Sequence, residues 1–161
     1  MTIRKANFDD LETIMGMIDA SRNVMRKYGN PNQWPEGTPS REKIQNDIEK
    51  GQSLIIECEG RPEGTFCFQK GIEPTYKYIE DGKWPDTDEY CTIHRLASFG
   101  NVKGIGQACI TWSLEHADVV RADTHKDNFK IQQLLQQNGF QYCGIVYMDD
   151  GTQRLAYQHN R

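Results

Sequence analysis

Apolar side chains recur along the chain with two different periods, and the periods alternate in blocks. Between Leu11 and Ile18 they fall three or four residues apart, as on the buried face of a helix. The run 53–58 instead places apolar, β-branched residues side by side, as buried strands do. Turn residues separate the blocks, above all in residues 30–39, which hold three of the six prolines.

The pattern predicts the element order β-α-α-β-β-β-α-β-α-β-β. This is a mixed α/β (α+β) sheet with helices on both faces, in a single domain spanning 1–161. Gly60–Gly64 is predicted to turn a hairpin, and Asp150-Gly151 to turn a second one. The predicted strands are 3–6, 53–58, 65–69, 91–98, 119–123, 141–148 and 153–158. Of the four predicted helices, the first begins after Asn7 or Asp9 and the second after Ser40. The third and fourth span 104–117 and 128–138.

Composition narrows the classes of function. The net charge of −4 has the wrong sign for a general nucleic-acid binder, which must neutralise phosphates. No stretch approaches the roughly 20 apolar residues of a membrane span, and Met1–Lys5 lacks the apolar run of a secretory signal, so we expect a cytoplasmic protein. The five cysteines have neither CxxC spacing nor an even count, which predicts free thiols and no metal site.

A glycine-containing loop, Asn101–Gln107, lies between a predicted strand and a strong helix. Unpaired N–H groups in the first turn of that helix suit a phosphate or pyrophosphate, and Gly104 and Gly106 let backbone approach a ligand closely. A tight strand-to-helix turn would use the same residues. A dinucleotide fingerprint is only partly matched, because Cys109 stands at the third glycine position although Asp123 lies near the expected acidic position.

The chain resembles the GNAT superfamily of acyl-CoA-dependent N-acyltransferases over nearly its whole length. The residues that carry the resemblance are the opening Ile3–Asp10, the loop Asn101–Gly106 in place of Arg/Gln-x-x-Gly-x-Gly/Ala, and Asn128–Phe140 in place of Asn-x-x-Ala-x-x-Leu-Tyr-x-x-x-Gly-Phe. The resemblance implies a sheet splayed at its centre and transfer of an acetyl group from acetyl-CoA to a primary amine of a small molecule or peptide, by direct attack on the thioester. It also implies cofactor contacts from Leu96, Ala97, Ser98, Val102, Lys103, Gly104, Ile105, Gly106, Gln107 and Asn128.

The resemblance also suggests candidates for proton transfer. His94 is the first choice for the base, since its strand would border the thioester and imidazole titrates near neutral pH. Glu89 and Tyr90, near the start of that strand, and His125 are further candidates. Leu135 stands where many family members carry the tyrosine that protonates the leaving thiolate, so that role is empty or is filled by Tyr142, Tyr147 or Tyr157. Arg95 is interpreted as a structural ion-pair partner.

Two aromatic-rich loops are candidates for the acceptor site. One holds Tyr28 and Trp34; the other, residues 73–89, holds Tyr76, Tyr78 and Trp84 with six acids and two lysines. Aromatic faces with carboxylates would suit a cationic amine. Two other functions stay open, a non-catalytic acyl-CoA-binding module and a nicotinamide-dependent enzyme. A monomer or a homodimer is expected, the latter through an exposed final strand.

Overall fold

The computed structural model describes residues 1–161 and contains the predicted succession of elements. The strands are β1 (Thr2–Lys5), β2 (Ser53–Cys58), β3 (Arg61–Lys70), β4 (Cys91–Ser98), β5 (Val119–Thr124), β6 (Gln141–Tyr147) and β7 (Gln153–Asn160). The α-helices are α1 (Leu11–Lys27), α2 (Arg41–Glu49), α3 (Ile105–His116) and α4 (Phe129–Gln137). None of these helices combines the length and the apolar character needed to cross a membrane.

All seven strands belong to one sheet, in the order β1-β2-β3-β4-β5-β7-β6. Neighbours pair antiparallel except β4 and β5, which are parallel, so the sheet is mixed as predicted. The parallel pair is joined by α3, which provides the long crossover that parallel strands require.

Helices cover both faces of the sheet, and β2 shows how the sequence arranges this. Leu54 and Ile56 pack in the core cluster that contains the buried side chains of α3. Ile55, between them, packs in the cluster that contains those of α1 and α2. Successive side chains of a strand point to opposite faces, so a continuous apolar run contributes side chains to the cores on both faces of the sheet.

Side-chain caps define where the first two helices begin. The side chain of Asn7 accepts from the backbone N–H of Asp9, and the carboxylate of Asp10 accepts from the N–H of Asn7, which forms a capping box before α1. The hydroxyl of Ser40 accepts from the N–H of Lys43 at the start of α2, as predicted. These caps satisfy donors that would otherwise lack a partner within the helix.

The first hairpin turns earlier than predicted. Glu59 and Gly60 both have positive φ, 52° and 75°, and β3 already begins at Arg61. Two central residues with positive φ suit the twist of a tight hairpin. Gly64 is therefore a strand residue rather than a turn residue, and a Cβ there would lie 2.5 Å from Cγ2 of Ile105. The glycine is needed for the close packing of α3 on β3.

Residues 73–89, here called the strap, cover the face of β5, β7 and β6 that the helices leave open. Tyr76 is buried with Val146 and Ala156, and Trp84 packs against that cluster. Glu80 exchanges two backbone hydrogen bonds of 2.8 Å with Ile145, on the outer edge of β6. The final strand, β7, lies between β5 and β6. The predicted exposed final strand is therefore wrong, and β7 has no free edge through which a homodimer could pair.

Candidate functional site

The parallel strands β4 and β5 separate after three residue pairs, from Cys91 opposite Val120 to Ile93 opposite Ala122. Beyond Ile93 the pairing of β4 with β3 shifts register, and Arg95 there adopts a positive φ of 53°. A bulge of this kind bends a strand away from its neighbour. A cavity of about 320 Å³ opens at the gap, and its wall includes residues of the loop 33–39, Lys43 of α2 and residues of α4.

The bulge is held by an ion pair. The guanidinium of Arg95 donates from Nε and Nη2 to the two carboxylate oxygens of Asp47 in α2, at 2.7 and 2.9 Å. Asp47 is buried, and a two-pronged contact with a carboxylate fixes the arginine in one orientation. The interpretation of Arg95 as a structural ion-pair partner is confirmed, and its carboxylate comes from a helix remote in sequence.

His94 lines the cavity from β4, immediately after the last residue that pairs with β5. Its Nε2 lies 3.2 Å from Oε1 of Glu73, which is the first residue of the strap. Burial raises the pKa of Glu73, but the contact with His94 and the charges of Lys43 and Arg95 outweigh burial, so its pKa lies below the usual value. The imidazole therefore faces an ionised carboxylate.

The other predicted bases do not line the cavity. The hydroxyl oxygen of Tyr90 accepts from the backbone N–H of Glu73 at 2.8 Å, and the guanidinium of Arg121 stacks on its ring at 3.9 Å. The structure thus places Tyr90 behind Glu73, as a support for the carboxylate. Glu89 is exposed, and Nδ1 of His125 accepts from the N–H of Asp127 at 3.1 Å.

The last three residues of β4 have different surroundings. Leu96 lines the cavity, whereas Ala97 is buried in the core beneath α1 and α2. The hydroxyl of Ser21 accepts from the N–H of Ser98 and donates to its C=O, so the backbone groups of Ser98 already have partners. Of the three residues, Leu96 is the one that lines the cavity, and the cofactor contacts of Ala97 and Ser98 stay predictions.

The loop before α3 has the predicted form. Gly104 caps the helix with a φ of +89°, and the N–H groups of Ile105, Gly106 and Gln107 form the first helical turn. Lys103 is exposed and Val102 packs against the core. Gly106 is required for packing instead. A Cβ at this position would lie 2.8 Å from Cδ2 of Leu134 in α4.

The α4 side of the cavity is mostly apolar. Leu135 is 2% exposed, and Ile131 and Leu134 line the cavity beside it. Asn128 caps α4 by accepting from the N–H of Ile131 at 3.2 Å, and it too lines the cavity. No tyrosine does. The predicted substitutes for the missing acid lie elsewhere: Tyr157 is buried in the core, Tyr142 is exposed, and Tyr147 donates to Glu80.

Of the predicted acceptor residues, the structure brings Trp34 to the cavity and leaves Tyr28 outside. Tyr28 is 67% exposed at the end of α1, with the ammonium of Lys130 5.7 Å from its ring centre. Tyr76, Tyr78 and Trp84 of the strap do not line the cavity either. Arg121 lies between the rings of Trp84 and Tyr90, so these aromatics hold the strap on the sheet.

Gln33, in the loop before Trp34, is the most connected residue of the cavity wall. Its Oε1 accepts from Nδ2 of Asn30 and Nδ2 of Asn128, both at 3.0 Å, and from Oγ1 of Thr124 and the N–H of His125, both at 3.3 Å. Arg154 donates to its backbone carbonyl at 3.1 Å. Nothing in the local sequence distinguishes Gln33, because every partner except Asn30 is more than 90 residues away.

No family model matches the chain, and no curated protein sequence matches it. Several solved structures are similar to the chain. A GNAT-family acetyltransferase from Streptococcus agalactiae 2603 is 33% identical, with a TM-score of 0.88 over 99% of this chain and 95% of that one. A GNAT-family acetyltransferase from Listeria monocytogenes 4b F2365 is 20% identical (TM-score 0.73; 99% and 94% covered). AAC(6')-Ib in complex with ribostamycin and coenzyme A is 19% identical (TM-score 0.67; 99% and 93% covered).

Proposed function

Since this chain belongs to the GNAT family of acetyltransferases, we propose that it moves an acetyl group from acetyl-CoA to a primary amine of a small molecule or peptide. The observation that carries the proposal is the gap between β4 and β5, where His94 and Leu96 line a cavity on the strand that precedes the glycine-capped start of α3. A neighbour of the same fold, solved with coenzyme A and ribostamycin, supports a coenzyme A donor and a small-molecule acceptor.

The residues around the gap fit such a donor. Leu96, Ile131 and Leu134 offer apolar walls for a flexible arm, and the N–H groups of the first turn of α3 suit a pyrophosphate. Gly104 leaves open space at this turn, since a Cβ there would meet nothing closer than Cε of Met1 at 3.8 Å. Bound acetyl-CoA would supply the thioester carbonyl that the amine attacks.

His94 is the residue we assign as general base. The amine must lose a proton as it attacks, and His94 is the histidine that lines the cavity, on the strand that borders the gap. Oε1 of Glu73 lies 3.2 Å from Nε2, so we assign Nδ1 to take the proton, and the negative charge of Glu73 stabilises the imidazolium that forms. Tyr90 acts one step further away, by holding the backbone N–H of Glu73.

The leaving thiolate needs no protein acid in this mechanism. Leu135 closes the site where a tyrosine would stand, and no other tyrosine lines the cavity. A thiol with a pKa of about 8.5 leaves as an anion without protonation at the moment of bond cleavage. The imidazolium of His94, which holds the proton taken from the amine, can return it to the thiolate through water afterwards, so the absence of tyrosine does not prevent turnover.

The test combines ligand binding with turnover. Thermal unfolding with acetyl-CoA, coenzyme A and NADH in parallel should show stabilisation by the first two only, by about 2.7 kcal/mol at 100 times the dissociation constant. His94→Gln should then lower kcat by about 10²- to 10⁴-fold while keeping acetyl-CoA affinity. His116→Gln is the matched control, because His116 stacks on Trp112 away from the cavity.

Three results would contradict parts of the proposal. Turnover that survives His94→Gln would remove the assignment of the base and leave the activity standing. Acetyl-CoA binding without acetylation of any amine would favour the non-catalytic module, and stabilisation by NADH alone would favour the nicotinamide enzyme.

A further inference from the structure

The charges on the cavity wall differ from those that the sequence predicts for an amine acceptor site. The strap carries six acids, yet none of its residues lines the cavity. Asp123 and Asp150 are the carboxylates of the wall, and Lys43, Arg95 and Arg154 are its permanent cations. A primary amine is itself cationic in water near neutral pH, so this wall is a poor match for an amine that carries no other charge.

Both carboxylates of the wall are already engaged. Oδ2 of Asp123 accepts from the hydroxyl of Tyr76 at 2.6 Å. Oδ1 of Asp150 accepts from the N–H and the hydroxyl of Thr152, at 2.9 and 2.6 Å. One oxygen of each carboxylate is therefore occupied by a neighbour, and the other oxygen of Asp123 faces the guanidinium of Arg154 at 4.0 Å.

Two of the three cations are engaged as well. Arg95 is paired with Asp47. Arg154 is 8% exposed, donates to the carbonyls of Gln33 and Gln153, and has Oδ1 of Asp123 at 4.0 Å. The N–H groups of these two arginines bond to other residues of the protein, so few of them remain to bind a ligand.

Lys43 is different, because its side chain is exposed where it lines the cavity and its ammonium group forms no ion pair and no hydrogen bond within the protein. It lies in the first turn of α2, where the helix reaches the cavity. Its charge acts on Glu73, the carboxylate beside His94. A negative group held by Lys43 would thus lie close to the amine that His94 deprotonates.

We propose that the acceptor is an amine that also carries an anionic oxygen group, a carboxylate or a phosphate, and that Lys43 binds this group. The inference rests on the proposed acetyl transfer and names its substrate class. Such an acceptor brings its own negative charge, which offsets the repulsion between its ammonium group and the wall, and it gives Lys43 the partner that the protein does not provide.

The experiment compares matched amines. Coenzyme A release is followed with amino acids against their carboxamides, and with phosphoethanolamine against ethanolamine. In the unmodified protein, kcat/KM should be at least about tenfold higher for the anionic member of one pair, in line with a hydrogen bond to a charged group. The pair that shows the preference distinguishes a carboxylate from a phosphate.

Lys43 variants connect that preference to the side chain. Lys43→Gln should bring the ratio close to one by lowering the rate for the anionic amine alone, and Lys43→Arg should preserve the ratio. Lys50→Gln is the control, since Lys50 is exposed at the other end of α2 and outside the cavity. Thermal unfolding of each variant checks that it is folded.

The outcomes separate this inference from the proposed function. Equal rates for neutral and anionic amines, or a preference that survives Lys43→Gln, would overturn the substrate class while acetyl transfer stands. If acetyl-CoA binds but no amine of either kind is acetylated, the proposed function fails and the substrate class fails with it.

Discussion

The hydroxyl of Ser21 accepts from the backbone N–H of Ser98 at 2.9 Å and donates to its C=O at 3.1 Å. This one side chain of α1 pairs both polar backbone groups of the last residue of β4. The cofactor contact that the sequence suggests for Ser98 would have to form beside these two hydrogen bonds. Leu96 is the residue of this strand end that lines the cavity.

Ser21→Ala should therefore affect stability rather than cofactor binding. The substitution leaves the two backbone groups of Ser98 without their partner, which should cost about 1–3 kcal/mol of unfolding free energy. Denaturant unfolding measures this cost, and a titration with acetyl-CoA should give an unchanged dissociation constant. A much weaker affinity for acetyl-CoA at unchanged stability would show that Ser98 belongs to the binding site after all.

Gln33 should control how firmly residues 30–39 lie on the cavity. Gln33→Leu removes the oxygen that four donors share, so the loop should lose protection in hydrogen exchange and kcat/KM for the acceptor should fall about tenfold. Gln33→Glu keeps an accepting oxygen and should retain both properties. Gln136→Leu, on the exposed side of α4, is the control. Equal exchange rates in the Leu and Glu variants would rule out this role.

Gly104 and Gly106 should respond differently to alanine. At Gly104 the cost is conformational, about 1–2 kcal/mol for a φ of +89°, and no neighbour can relieve it. At Gly106 the Cβ meets Leu134, so the cost of overpacking, about 1–3 kcal/mol, should fall when Leu134→Ala is added. A double-mutant cycle measures this coupling. Additive effects of Gly106→Ala and Leu134→Ala would contradict the packing explanation.

Asp10 should give stability that depends on pH. Hydrogen bonds from Arg4, at 2.8 and 2.9 Å, hold the pKa of Asp10 below its ordinary value of 3.8. Because the folded pKa is lowered, its contribution is present above pH 3.8 and is lost as the pH falls through the lower folded value. Asp10→Asn should cost about 1–2 kcal/mol at pH 7, and the difference from the unmodified protein should shrink in acid. The exposed Asp9→Asn is the control, and a difference that persists at low pH would contradict the assignment.

Features that depend on neighbours in the chain could be predicted from the sequence. The apolar periods, the caps at Asn7 and Ser40 and the glycine at position 104 act over a few residues, so the element order and the loop before α3 follow from them. The turn at Glu59 was missed, because a non-glycine residue with positive φ has no reliable sequence signal. The resemblance of the loop and of α4 then indicated the family, which comparison with solved structures confirmed.

The tertiary structure alone decided how the site is completed. Glu73 meets His94 across the sheet, Asp47 holds Arg95 from another helix, and Gln33 reaches residues of β5 and α4. Each contact joins residues that are 21 or more positions apart, and nothing in the local sequence around either partner indicates the other. The sequence determined which residues could fold into strands, helices and a phosphate-type loop. Packing of the strap and of α2 on the sheet decided which of them face the cavity and which charge remains there without a partner.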